Sequence, residues 1–161
     1  MPANQNEHRS RQLSHPETIR ALVVASHGVL WKALVDLVSR QPGIEVCASV
    51  KNVRDVHGSL AENGSQSVVI LDWPVADTSD SRVLGELLKV YPAARWLAVS
   101  LYNDLFSVKR ALDMGVNGYV TKLMAAEVIC TAIRALAAGQ EYFSPDVLDG
   151  LPQAFAKEIL A

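Results

Sequence analysis

Cysteine is nearly missing from this chain. Only Cys47 and Cys130 are present, each alone inside an apolar segment. Neither has a partner at zinc-site spacing or belongs to a disulfide framework, so both read as reduced core thiols. Long hydrophobic runs are missing too. No apolar stretch approaches the ~18 residues of a membrane span. The N-terminus lacks the apolar segment of a secretory leader. Charge of one sign is equally scarce: 15 Lys and Arg against 17 Asp and Glu leave a net charge of −2. Such a balance provides no global positive field for nucleic acid or an acidic membrane. Together these absences imply a soluble, cytoplasmic protein with no membrane partner.

What is present is apolar residue in quantity. Half of the 161 residues are hydrophobic, enough for one sizeable core with short extensions. Residues 1–17 stand apart. They are polar and aperiodic, and they cannot offset the entropy of ordering, so they read as a disordered tail. From Ile19 onward, short β-branched runs alternate with segments of helical period. IRALVV (19–24) is a strand, and Val29 to Ser39 repeats leucines at helical spacing. Pro42-Gly43 ends that helix. Ile44 to Val50 is the second strand, and Asn52 can cap a helix reaching Glu62. SVVILD (67–72) is the third strand. A loop from Trp73 to Asp80 follows, then a helix from Arg82 to Val90 capped by Ser81. RWLAVS (95–100) is the fourth strand, and a helix from Asn103 or Asp104 ends at Gly115. Gly118 to Thr121 is a brief fifth strand, and Ala125 to Ala138 is the last strong helix.

Five β-α repeats with short connections predict an α/β domain over 18–140. Its form is a doubly wound parallel sheet of five strands, flavodoxin-like (CheY-like) in order 2-1-3-4-5. In that order the carboxyl ends of strands one, three, four and five converge on one edge. They bring there Ala25 and Ser26, then Asp72, then Ser100, then Lys122. A carboxylate near a hydroxyl and an ammonium is a constellation for phosphoryl transfer. The carboxylate is the nucleophile, and the other two groups bind phosphoryl oxygens. Any one of these residues alone is as well explained by a cap or a structural ion pair.

With those residues in place, the chain resembles the receiver domain of bacterial two-component response regulators, in the NarL/FixJ-like branch with LuxR-type output. The resemblance runs from Ile19 to Asp146. It is carried by IRALVVASHGVLWKAL, QPGIEVCASV, VVILDW, RWLAVS, ALDMGVNGYVTK and AIRALAAGQEYFSPDV. It implies that Asp72 is the phosphoacceptor position, Ser100 the switch hydroxyl, Tyr119 the switch aromatic and Lys122 the phosphate-contacting lysine. It further implies signalling through the face of the fourth helix, fifth strand and fifth helix. That face would include Leu105, Phe106, Arg110, Tyr119, Val128 and Arg134. The partners implied are a second copy of the chain, a histidine kinase or another regulatory protein, and DNA only through an output domain.

The departures from this pattern are local. Two acidic residues that hold Mg²⁺ in the family are replaced by Ala25 and Ser26, leaving Asp72 as the sole assigned carboxylate of the pocket. Mg²⁺ is a hard cation that wants oxygen ligands, so no cofactor is expected and Mg²⁺ binding should be weak or lost. After Asp72, Val75 and Ala76 stand where the family has Met-Pro, and Pro74 appears instead. The expectation is therefore an atypical receiver rather than an enzyme. It would serve transcription regulation through contacts with protein, with Asp72 paired to Lys122. The alternatives are a working phosphoacceptor at Asp72 or a small-molecule sensor using the vacated pocket. Residues 141–161 read as a linker with a short helix, too few for a helix-turn-helix domain. Leu151, Phe155 and Ile159 share one face of that helix, which can dock on its own domain, on another subunit, or lead onward.

Overall fold

The computed structural model describes residues 18–25, 28–64, 67–74, 78–124 and 126–161, with the side chains of Leu30 and Thr78 left aside. Chain order runs β1 (Ile19–Val24), α1 (Val29–Ser39), β2 (Ile44–Val50), then a 3₁₀ turn (Val53–Asp55) into α2 (Val56–Asn63). It continues through β3 (Val68–Trp73), α3 (Thr78–Val90), β4 (Arg95–Ser100), α4 (Leu105–Met114), β5 (Gly118–Thr121) and α5 (Ala126–Ala137). Last come β6 (Tyr142–Phe143), α6 (Pro145–Asp149) and α7 (Gln153–Leu160).

The sheet is parallel throughout, in order β2-β1-β3-β4-β5-β6. The expected order 2-1-3-4-5 holds, and a sixth strand is added at the β5 edge. That strand is two residues long, too short to show a period, and it falls in the stretch read from sequence as linker. Two further boundaries move. α3 begins at Thr78 rather than Arg82, with Asp80 in its first turn, where the helix dipole favours a carboxylate. β3 runs through Trp73, which the sequence reading had placed in a loop.

Strand parity explains the second shift. Successive strand side chains point to opposite faces. Leu22, Val24, Val69, Leu71, Trp73, Trp96, Ala98 and Tyr119 join one buried cluster with α2, α3 and α4. The intervening residues, Ala21, Val23, Val68, Ile70, Leu97, Val99 and Val120, join a second cluster with α1 and α5. Trp73 therefore continues the row of Val69 and Leu71 into the first core and is only 2% exposed. Burying side chains of this size from both faces is what holds the sheet, at roughly 1.5–3 kcal/mol for each large apolar group.

The C-terminal segment completes the first core. Phe143, Val147 and Leu151 are buried in it, and Phe155, Ala156 and Ile159 pack against it. The shared face read from the sequence thus docks on its own domain. Room for β6 comes from Gly118. A Cβ at that position would lie 2.9 Å from the Tyr142 carbonyl oxygen, 3.0 Å from Leu136 and 3.1 Å from Leu97. Both cysteines are free. Cys47 is the extra residue at an irregularity between β1 and β2, and its thiol donates to the Ala21 carbonyl at 3.3 Å. Burial pushes the thiols of Cys47 and Cys130 up from their ordinary pKa.

Candidate functional site

Asp72 is the penultimate residue of β3, paired in register with Val99 of β4. It shares parity with Val68 and Ile70, toward α1 and α5. Lys122 follows the last residue of β5, and its backbone N–H donates to the Ser100 carbonyl at 2.8 Å. That bond holds the turn so that Lys122 Nζ reaches Asp72 Oδ1 at 2.6 Å, with side-chain exposures of 15% and 27%. The expected Asp72–Lys122 pair is present. The same ammonium lies 5.3 Å from the centroid of the Trp31 ring of α1, a cation–π contact on its far side.

Ser100 and Tyr119 occupy the opposite flank. Both are fully buried. The Ser100 hydroxyl accepts from the Tyr102 backbone N–H at 3.0 Å, while the Tyr119 hydroxyl donates to the Tyr102 carbonyl at 2.7 Å. One loop residue is therefore held from both of its peptide groups. Burial pushes the Tyr119 phenol up to about 12; the Ser100 hydroxyl offsets part of this, and the Asp104 charge adds to it. Asp104 caps α4. It accepts from the Ser107 backbone N–H at 3.0 Å and the Ser107 hydroxyl at 2.8 Å, which hold its carboxyl below the usual range.

Ala25, at the end of β1, extends the strand by donating its backbone N–H to the Val50 carbonyl at 3.0 Å. Its side chain is a methyl group and offers no ligand atom. Ser26 and His27 lie outside the described residues, as do Val75 and Ala76. Among the described residues, no group of three or more His, Cys, Asp or Glu side chains is placed to hold a metal ion. One carboxylate already bonded to an ammonium is a poor donor set for a cation that prefers several oxygens.

The residues assigned to a signalling face differ in exposure and in the elements they touch. Leu105 and Phe106 are exposed at the start of α4, the latter at 75%. Arg110 is exposed, with its guanidinium 5.7 Å over the Trp73 ring and a 3.4 Å bond to the Ser81 hydroxyl. Tyr119, however, is buried and presents nothing to a partner. Val128 is half-buried on α5. Arg134, further along α5, donates to the Pro42 carbonyl in the turn between α1 and β2. It belongs to the α1 side of the molecule.

Sequence reasoning missed two arrangements. Trp31 was noted only as part of the first helix, yet it underlies Lys122. Asp146 was placed in the linker, yet its carboxylate accepts from the hydroxyl of Thr121, the residue next to Lys122. A signal for Asp146 was available: Ser-Pro-Asp is a helix start with an acidic first turn. What that start would lie against was not.

No family model matches the chain. It is 22% identical over 139 residues to the transcriptional regulatory protein DegU of Brevibacillus brevis, covering 86% of this chain and 58% of that protein. It is 26% identical over 131 residues to the response regulator protein VraR of Staphylococcus aureus, covering 81% of this chain and 62% of that protein. The chain thus spans about three-fifths of the length of these curated relatives. Among solved structures, a two-component response regulator of the LuxR family from Aurantimonas superposes with a TM-score of 0.75. It is 24% identical and covers 90% of this chain and 100% of that one. No helix among the described residues is long and apolar enough to cross a membrane. The fold is that of a response-regulator receiver domain, and the sequence relatives are response regulators matched over their receiver region.

Proposed function

We propose that this chain is a signalling receiver whose Asp72 sits at the phosphoacceptor position but works with little or no Mg²⁺-dependent phosphorylation. The observation that carries the reading is the contrast at the sheet edge. Asp72 is paired with Lys122, and Ser100 and Tyr119 are buried beside the β4–α4 loop, while the end of β1 supplies a methyl group at Ala25. Phosphorylating a carboxylate crowds negative oxygens together, and a divalent cation beside two carboxylates normally neutralises them. Lys122 supplies one positive charge and no coordination sphere. Output then runs through contacts with other proteins, among them a second copy of this chain, and DNA is a partner only by way of an output domain. Leu105, Phe106 and Arg110 are the exposed residues of the expected face that lie on α4.

The test is treatment with acetyl phosphate, or with beryllofluoride, in the presence of Mg²⁺, read by intact mass and by tryptophan fluorescence. The expected result is no stoichiometric adduct and no saturable Mg²⁺ response. A Mg²⁺-dependent adduct that disappears in Asp72→Asn would overturn the reading and establish a working phosphoacceptor.

A further inference from the structure

We propose that Asp146 is a positioning residue that ties the C-terminal helices to Lys122, so that the state of the Asp72–Lys122 pair and the docking of α6–α7 are coupled. The input is the site of the proposed receiver; the tie itself is independent of whether that site is ever phosphorylated.

The carboxylate of Asp146 accepts three hydrogen bonds, two from its own segment and one from the end of β5. Its Oδ2 accepts from the Thr121 hydroxyl. Its Oδ1 accepts from the Ser144 hydroxyl at 2.6 Å and from the Val147 backbone N–H at 3.0 Å. Thr121 and Ser144 are 1% and 0% exposed while Asp146 itself is half-buried, so the two donor hydroxyls are shielded from water. A charge-assisted hydrogen bond in such a place is stronger than a neutral one, and losing one partner leaves the other unsatisfied. Ser144 and Val147 belong to the C-terminal segment itself. Thr121 does not: it ends β5, one peptide before Lys122.

Two further bonds grip the same segment from the switch side. The Ser144 backbone N–H donates to the Tyr119 carbonyl at 3.1 Å. The Asn103 side chain donates to the Asp146 carbonyl at 3.3 Å. Gly150 lies directly under Asn103, leaving no room for a Cβ, which would stand 3.0 Å from Asn103 Nδ2 and 3.1 Å from its carbonyl oxygen. The start of α6 is thus held by the end of β5 and by the β4–α4 loop, the two places that carry Lys122 and flank Ser100. Beyond the clasp, Val147 and Leu151 are buried, and Phe155, Ala156 and Ile159 rest on the core. A shift of Lys122 that displaces Thr121 strains the clasp at Asp146, and a shift of α6 acts back on Lys122. Such coupling is reciprocal by thermodynamic necessity.

Amide hydrogen exchange on the full chain tests this in four proteins: the parent, Asp72→Asn, Thr121→Val and the double variant. Asp72→Asn weakens the ion pair from the far end, and Thr121→Val removes the bond to Asp146 at nearly constant volume. The expected result is that Asp72→Asn changes exchange of the α6–α7 amides by about tenfold, the scale of one charge-assisted hydrogen bond. This response should vanish in the Thr121→Val background, with the β3 amides of Val69 and Ile70 following neither change. An α6–α7 response that is absent, or the same size with and without the Thr121 hydroxyl, overturns the coupling. Equal loss of protection in β3 and α6–α7 overturns it as well, since the bond would then be structural cement. Asp146→Asn, which keeps the shape and removes the charge, replaces Thr121→Val if that variant fails to fold.

Discussion

The two halves of the sheet edge are built to different standards. On the β4–β5 side, Ser100, Tyr119 and Thr121 are at most 1% exposed, and each side chain has a named partner: Tyr102 for the first two and Asp146 for the third. On the β1 side, Ala25 donates a backbone bond to Val50 and rests its methyl group on the second core, with no polar side-chain group to offer. Asp72 lies between them and is bound to the β5 side through Lys122. The comparison shows which site groups have a structural reason to be there. Hydroxyls and a lysine that hold a loop, a strand end and a terminal helix are costly to lose whether or not phosphate ever arrives. Carboxylates kept near one another only to hold a cation repel when the cation is absent, and nothing in the fold needs them.

The largest expected effect breaks the contrast outright. Ala25→Asp combined with Ser26→Asp supplies two carboxylates beside Asp72. Mg²⁺ affinity, followed by tryptophan fluorescence, should rise by more than ~100-fold, because first-sphere oxygens exceed the 10–100-fold contributed by outer groups. A flat titration would mean that the β1 side cannot form the site for reasons beyond those two side chains.

Gly118→Ala attacks the well-built half where it is tightest. A methyl group there meets backbone and two leucines at 2.9–3.1 Å. Denaturant melts should show a loss of about 1–3 kcal/mol. Exchange protection at Tyr142 and Phe143 should fall further than in β1, if β6 depends on that space.

Tyr119→Phe removes one buried hydroxyl and its bond to the Tyr102 carbonyl, for about 1 kcal/mol. The subtler consequence should be greater mobility at Tyr102, which keeps only the Ser100 bond. A smaller effect is expected in alkali. The folded-state value of about 12 lies above the ordinary 10.0. The preference of the neutral phenol for the fold is therefore complete below pH ~10 and is lost as the pH climbs toward 12. Absorbance at 295 nm, parent minus Tyr119→Phe, should place this one ionisation near pH 12.

Much of this fold was legible because its signals are local. β-branched runs such as VVIL and RWLAV announce buried parallel strands, and Asp104 and Gly115 bound α4 as their chemistry requires. The edge residues Asp72, Ser100 and Lys122 followed from strand ends and chain order alone. What escaped had no local signature. β6 is two residues long. Trp73 looked like a loop residue until the parity of Val69 and Leu71 was carried one step further. His57 has its ring nitrogen 2.7 Å from the Tyr91 hydroxyl, a pairing 34 residues apart in the chain. The resemblance implied one face holding both Arg134 and Tyr119, but which side of α5 meets α1 is settled only by packing.

The bare α-carbon at position 118 acts as a keyhole. The Tyr142 carbonyl approaches the space that a side chain would fill there, and that approach is what lets the chain after α5 turn back along the sheet. The C-terminal stem is therefore fitted to the domain, its course set by the sheet edge and the first core rather than by a free tether. In mechanical terms α6 and α7 sit like a key in its slot: their orientation is given by the sheet edge and not by the length of the connection.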